Sequence, residues 1–302
     1  MKVVSFYRFL DLAEPESFCD RLQTLCEEQG LLGTVLVATE GFNGTLAGEQ
    51  LAVETVFSWI ERETGLDTPI DARWTDASEA PFLRMRVRTK KEIVTLGRPD
   101  ILPHEKTGIH VEPERWNALI EDPNVLVIDT RNHYEIDVGT FPGAVDPKTD
   151  NFRQFNAFAA ELAETSIDKP LAMFCTGGIR CEKATALMLE LGFDEVYHLQ
   201  GGILNYLNEV PDEQNRWDGE CFVFDTRVAV DRDLAEGGYV QCHACRRPLS
   251  TDDMASPDYR EGVSCPLCVN EADDDRLARL EERRKQVALA AARGDTHIGP
   301  KT

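Results

Sequence analysis

Residues 170–181 read Pro-Leu-Ala-Met-Phe-Cys-Thr-Gly-Gly-Ile-Arg-Cys, and no other stretch constrains the chain so tightly. Leu171 to Phe174 form an apolar run of strand length. The segment that follows places Ala184, Leu187, Met188 and Leu191 at helical spacing, with Gly192 as the stop. Cys175 therefore falls on a tight turn between a buried strand and a helix. Backbone N–H groups in such a turn can point inward, and the helix N-terminus adds partial positive charge. Arg180 adds a full charge. A thiol placed there loses its proton more readily than a free cysteine, because the thiolate is stabilised. A cysteine beside one glycine turn would read as an ordinary buried strand-end residue. The order strand, cysteine, two glycines, arginine, helix points instead to a nucleophilic or sulfur-carrying Cys175.

The rest of the chain is too long to serve that one site. At 302 residues it exceeds a typical single core and predicts two or three units. A formal charge of −22 argues against nucleic-acid binding driven by net charge, while leaving room for a local basic patch. Nine cysteines are an odd number, and their spacing does not suggest a disulfide framework. The N-terminus lacks the apolar run and cleavage site of a signal peptide, and no stretch has membrane-spanning length. These features predict a cytoplasmic protein with reduced thiols.

Residues 1–96 predict a small α+β domain. The segments 3–9, 33–40 and 44–48 read as strands, and the Asn43-Gly44 pair reads as a tight turn between the second and third. Phe18, Leu22, Leu25 and Cys26 share one helical face, and Val53, Val56, Phe57 and Ile60 share another. Further strands are expected around 71–77 and 82–94. The order β-α-β-β-α-β with an extra strand predicts a ferredoxin-like layer of helices on an antiparallel sheet. In the last segment Arg84, Arg86 and Arg88 alternate with Met85 and Val87, and Lys90 and Lys91 follow. The three arginines share a face. That face is either a solvated outer surface or a track for a phosphate backbone on an otherwise acidic protein.

Residues 97–124, broken by Gly97, Pro99, Pro103 and Gly108, read as a connector ending in a short helix. Residues 125–215 alternate strand and helix, which predicts a doubly wound parallel sheet with ligand sites at the carboxyl ends of its strands. Asp129 and Arg131 end its first strand and read first as a structural ion pair. Residues 216–302 carry Cys242-x2-Cys245 and Cys265-x2-Cys268, the ligand spacing of a zinc-ribbon-like module. Four free or redox-active cysteines are the alternative. Cys221 and His243 fall outside that ligand set. A charged helix with a sparse stripe of Leu277, Leu280 and Val287 follows, then a polar tail after Gly294. No dinucleotide- or triphosphate-binding motif occurs.

The loop Cys175-Thr176-Gly177-Gly178-Ile179-Arg180 resembles the active-site loop of the rhodanese superfamily, whose first cysteine carries a persulfide. Its length is that of sulfur-handling members, and related phosphatases have a longer loop. The segment from Gly139 to Ala144 is similar to the same family, with Thr140 where histidine is common. A further combination, His133, Glu135 and His198, would make a two-histidine-one-carboxylate iron site. Residues 132–136, however, read as the solvent-facing turn common to rhodanese domains, so that site is not expected.

The three-part order, with Glu40 to Thr45, Cys175 to Lys183, Cys242 to Cys245 and Ser264 to Cys268, resembles the bacterial rhodanese-domain tRNA uridine hydroxylases. That resemblance implies oxygen-dependent conversion of wobble uridine 34 to 5-hydroxyuridine, with Cys175 as the active-site cysteine and tRNA as the partner. It also implies molecular oxygen as co-substrate, while neither a flavin motif nor an electron donor is visible. A rhodanese-type sulfurtransferase working through a Cys175 persulfide is the first alternative. A non-catalytic tRNA-binding or zinc interaction protein is the second.

Overall fold

The structure, a computed structural model, describes residues 1–70 and 72–294. Position 71 and the polar tail expected after Gly294 lie outside the described residues. The chain divides into two compact units, Met1–Phe222 with Asp231–Ala235, and Val223–Val230 with the chain from Glu236 onward. No helix among the described residues is long and apolar enough to cross a membrane.

The first unit opens with β1 (Lys2–Phe9), α1 (Pro15–Glu28), β2 (Leu32–Ala38), β3 (Gly41–Gly48), α2 (Gln50–Thr64), β4 (Ala72–Asp76) and β5 (Met85–Thr89). They form one sheet in the order β4-β1-β3-β2-β5. The first four strands have the expected ferredoxin-like arrangement, and β5 is the extra strand, parallel to β2. Phe18, Leu22, Cys26, Val53, Val56, Phe57 and Ile60 are buried against Val4, Phe6, Val35 and Leu46, and Leu25 is only partly buried. Removing that apolar surface from water is what holds two short helices on the sheet.

Two expectations in this layer are corrected. Asn43 and Gly44 do not turn the chain. They lie inside β3, paired with Tyr7 and Phe6 on one side and Leu36 and Val35 on the other. Gly44 is required there by close approach, since a Cβ would stand 2.8 Å from a Val35 methyl. Asn43 spends its side-chain amide on the Ile93 carbonyl, 3.0 Å away. The strand expected to run on to residue 94 ends at Thr89, and Glu92 turns inward to become a buried ion-pair partner.

The same unit continues with β6 (Ile109–Val111), α3 (Pro113–Ile120), β7 (Leu126–Asp129), α4 (His133–Ile136), β8 (Gly139–Thr140), α5 (Phe155–Ser166), β9 (Leu171–Phe174), α6 (Ile179–Glu190), β10 (Val196–Leu199) and α7 (Gly202–Glu209). A parallel sheet runs β6-β10-β9-β7. Leu171 and Met173 face the α5–α6 side, packed among Phe155, Ala159, Ala184 and Leu187. Phe174 faces the opposite side, edge-on to Trp116 of α3 and to Phe141, which meets Tyr206 of α7. Helices thus cover both faces, which is why β9 reads as an unbroken apolar run. Residues 109–111, read as connector, form the edge strand β6. Ile109 and His110 are exposed there, so the segment carries no apolar signature.

The second unit holds a short antiparallel pair, Val240–Gln241 with Pro248–Leu249, followed by α8 (Thr251–Ala255) and α9 (Asp274–Ala292). Asp273 caps α9 by accepting from the Arg276 N–H. The helix is tied down mainly by polar contacts, Arg276 to the Ala244 carbonyl at 3.1 Å and Arg260 to Glu281 at 3.0 Å. Of the expected stripe, Leu277 and Leu280 are half-buried and Val287 is exposed, whereas Ala290 is buried.

Candidate active site

Cys175 follows β9 directly and closes the turn into α6. Gly178, the N-cap of α6, has φ +98°, and its N–H donates to the Cys175 Sγ at 3.1 Å. A side chain at 178 would adopt that backbone at a cost, and its Cβ would strike the Tyr7 hydroxyl at 2.8 Å. The loop carbonyls are held from the far side by α7. Ile203 and Leu204 donate their N–H groups to the Cys175 and Thr176 carbonyls at 2.9 and 3.1 Å. Only glycine fits at 202, where a Cβ would stand 2.4 Å from the Cys175 carbonyl. The loop is therefore clamped between two helix N-termini.

The thiol is fully buried, and burial alone would push it up. A hydrogen bond from the Cys181 thiol, the Arg180 charge and the backbone N–H groups of Cys181 and Arg180 outweigh that penalty, so the Cys175 thiol is held below its ordinary range. Cys181 moves the opposite way, raised by burial and by the neighbouring Cys175, and remains a thiol. The two cysteines thus divide into a thiolate and its hydrogen-bond donor.

Arg180 does not point its guanidinium freely at the sulfur. It donates to both carboxylate oxygens of Glu135 at 2.6 and 2.8 Å, and to the Thr176 hydroxyl at 3.3 Å. Glu135 is fully buried. The turn expected to face solvent at 132–136 is a short helix, α4, half-buried at its other positions, and the expectation fails at Glu135, whose buried carboxylate aims the arginine. One signal for it was present. Asn132 and Glu135 have capping-box spacing, and the Glu135 carboxylate accepts from the Asn132 N–H at 3.1 Å.

Around this core, Asp129 and Arg131 form the expected structural pair, both fully buried, with the guanidinium 5.1 Å from the centre of the Trp217 ring. Thr140 donates to Asp129 at 2.9 Å. Tyr7 of β1 reaches α6 and donates to Glu182 at 3.1 Å. Burial and the charges of Glu182 and Cys175 hold its hydroxyl protonated, well above the ordinary tyrosine range. No feature of the sequence places this tyrosine beside the loop.

The other singled-out residues lie elsewhere. Arg84, Arg88, Lys90 and Lys91 are exposed and Arg86 is half-buried, on and beyond edge strand β5, while Met85 is buried beneath. The sulfurs of Cys242, Cys245, Cys265 and Cys268 all lie within 4.8 Å of one another, with Cys245–Cys265 at 3.8 Å and Cys265–Cys268 at 3.5 Å. Tetrahedral thiolate ligands on zinc stand about 3.8 Å apart, so this cluster can hold a metal such as zinc. His133, Glu135 and His198 are not assembled into one site. His133 bonds to Asp146 at 2.7 Å, Glu135 takes Arg180, and His198 lies beside His110.

Residues 1–93 match the UPF0176 acylphosphatase like domain and residues 112–209 the Rhodanese-like domain. Two curated relatives, from Teredinibacter turnerae and Agrobacterium fabrum, are each named tRNA uridine(34) hydroxylase. Each is 49% identical to this chain over 98% of its length, covering 92% and 94% of their own. Among solved structures, a rhodanese-like domain from Anabaena sp. aligns with 36% of this chain and 78% of its own, at 15% identity and a TM-score of 0.30.

Proposed function

This chain belongs to the tRNA uridine(34) hydroxylase family, and from that premise we propose that it hydroxylates carbon 5 of the wobble uridine of tRNA, with Cys175 as the reacting group. The observation that carries the reading is a fully buried thiol held below its ordinary range inside a backbone cradle, in a chain that matches those relatives over 98% of its length. Uracil is electron-poor at carbon 6. A thiolate that adds there passes its electron pair into the ring and leaves carbon 5 electron-rich. One atom of dioxygen then enters at carbon 5 and the other leaves as water, with two electrons taken from an external reductant. Loss of the carbon 5 proton and of the cysteine restores the double bond. Gly178 and Arg180 serve this scheme by stabilising the sulfur anion that begins and ends it.

The basic strand supplies the affinity in this reading. Arg84, Arg86, Arg88, Lys90 and Lys91 lead along β5 to Glu92, whose carboxylate grips Lys183 on α6 at 2.7 Å. An RNA backbone following those side chains would arrive at the helix that carries the loop. The four cysteines of the second unit would hold a structural zinc ion, and the enzyme would work in the cytoplasm. The deciding assay incubates purified protein with unmodified tRNA and a reductant, under air or argon, and analyses nucleosides by mass spectrometry. An oxygen-dependent gain of one oxygen atom on uridine is the expected result. Thiocyanate formed from thiosulfate and cyanide, with tRNA unchanged, would make the chain a sulfurtransferase instead.

A further inference from the structure

Away from the cysteine loop, three side chains of metal-ligating type converge that the proposed reaction does not use. His110 and His198 are register partners on the neighbouring parallel strands β6 and β10. Their side chains leave the sheet on the same side, with ring centres 4.1 Å apart. Glu182, in the first turn of α6, completes the group. Its carboxylate stands 3.0 Å from the Nε2 of His110, and a ligand atom from each of the three residues lies within 4.8 Å of the others.

His198 makes this more than an ion pair. Its side chain is almost fully buried, and neither ring nitrogen has a well-formed hydrogen-bond partner, although the Gly108 backbone lies alongside. A buried imidazole with both nitrogens in that state is costly unless something fills the space they face. We propose that His110, Glu182 and His198 bind one divalent first-row transition-metal ion.

The donor set suits that class. Two imidazoles and one carboxylate bind iron, manganese, cobalt or zinc and leave further coordination positions open. Neighbouring ligands on such an ion stand about 3 Å apart, the spacing His110 and Glu182 already have. The supporting contacts are those a ligating carboxylate needs. Tyr7 donates to one oxygen of Glu182 at 3.1 Å and Thr107 to the other at 3.0 Å, fixing its orientation. His110 is partly exposed, its side chain 43% accessible, which leaves a route for the ion from solvent. The ion would stand one hydrogen bond from the cysteine loop, because the Tyr7 hydroxyl that holds Glu182 also packs against Gly178.

Manganese(II) is the probe, because it favours nitrogen and oxygen ligands over the thiolates of the second unit. Full-length protein, with its cysteine cluster already loaded with zinc, is titrated with manganese(II), and the free ion is followed by electron paramagnetic resonance. Saturable binding of about one ion per chain is expected, weakened at least about tenfold in His110→Ala and in Glu182→Gln. His110 sits on an exposed edge strand, so His110→Ala should keep the wild-type melting temperature and remain informative if the buried variant does not fold. Cys245→Ser should leave manganese binding unchanged. No saturable binding to the wild type, or equal binding by wild type and His110→Ala, overturns the proposal and leaves His110 and Glu182 as a simple ion pair.

Discussion

Lys183, fully buried on the helix behind the cysteine loop, reaches Glu40 in the turn just before β3 with 2.7 Å between nitrogen and oxygen. Glu92 takes the same ammonium group at 2.7 Å. The lysine therefore fastens α6 to the N-terminal sheet and sets where the loop stands relative to Tyr7. Burial pushes the Glu40 carboxyl up, and the Lys183 charge only partly offsets it. Replacing one member of such a group leaves the others buried without compensation, a loss of about 3–5 kcal/mol. Lys183→Met should lower the stability of the first unit by that order. Urea denaturation followed by far-ultraviolet circular dichroism reads it, and an unchanged midpoint would count against the lysine as a fastener.

Cys175→Ser should abolish formation of the modified nucleoside and leave the fold intact. The hydroxyl is nearly the same size as the thiol and far less nucleophilic at neutral pH. Nucleoside mass spectrometry after incubation with tRNA, paired with a melting curve, checks both halves. Full activity in this variant would remove Cys175 from the chemistry.

The charge state of Cys175 has its own pH signature. An ordinary thiol ionises near about 8.5, whereas this one is held lower. Its alkylation by iodoacetamide, located by peptide mapping, should already be near its plateau at pH 8 while an ordinary thiol is still climbing. The sign for stability follows from the same depression. The thiolate's contribution is fully present above the unfolded value and is lost as pH falls through the folded one. Arg180→Gln should move the alkylation midpoint upward, because it removes the charge beside the sulfur. A midpoint at the ordinary value in the wild type would show that burial outweighs the cradle.

Protein purified without chelators should carry about one zinc ion, bound by Cys242, Cys245, Cys265 and Cys268. Removing it should unfold the second unit, since structural sites of this kind contribute folding energy directly. Elemental analysis and thiol titration are the measurements. Metal-free protein with four titratable thiols in that unit would favour reduced cysteines.

Replacing Arg84, Arg86 and Arg88 together with glutamine should weaken tRNA binding and flatten its dependence on salt, because fewer counterions are released. Melting temperature should change little, as Arg84 and Arg88 are exposed and Arg86 only half-buried. Filter binding at several salt concentrations tests this, and unchanged affinity would return β5 to a solvated face.

The sequence by itself determined the local framework. The apolar run before Cys175, the two glycines and the helical spacing after them were enough to put a thiol at a strand-to-helix turn, and the turn is there. The cysteine spacing in the second unit likewise placed four sulfurs within reach of one another. Both signals are short-range, set by side-chain periodicity and by the reach of a tight turn. The same short-range reasoning misplaced the Asn43-Gly44 turn, because Val35 and Phe6 crowd that glycine from neighbouring strands. It also put Glu135 at the surface, although Asn132 three residues before it marked a helix cap. Only the tertiary structure decided what stands across from what. Tyr7 meets Glu182 because the N-terminal sheet packs against α6. Glu135 meets Arg180 because α4 folds back over the loop. His110 meets His198 because parallel strands far apart in the chain share a register. Those meetings depend on strand order, register and packing between layers, which no local pattern of residues encodes.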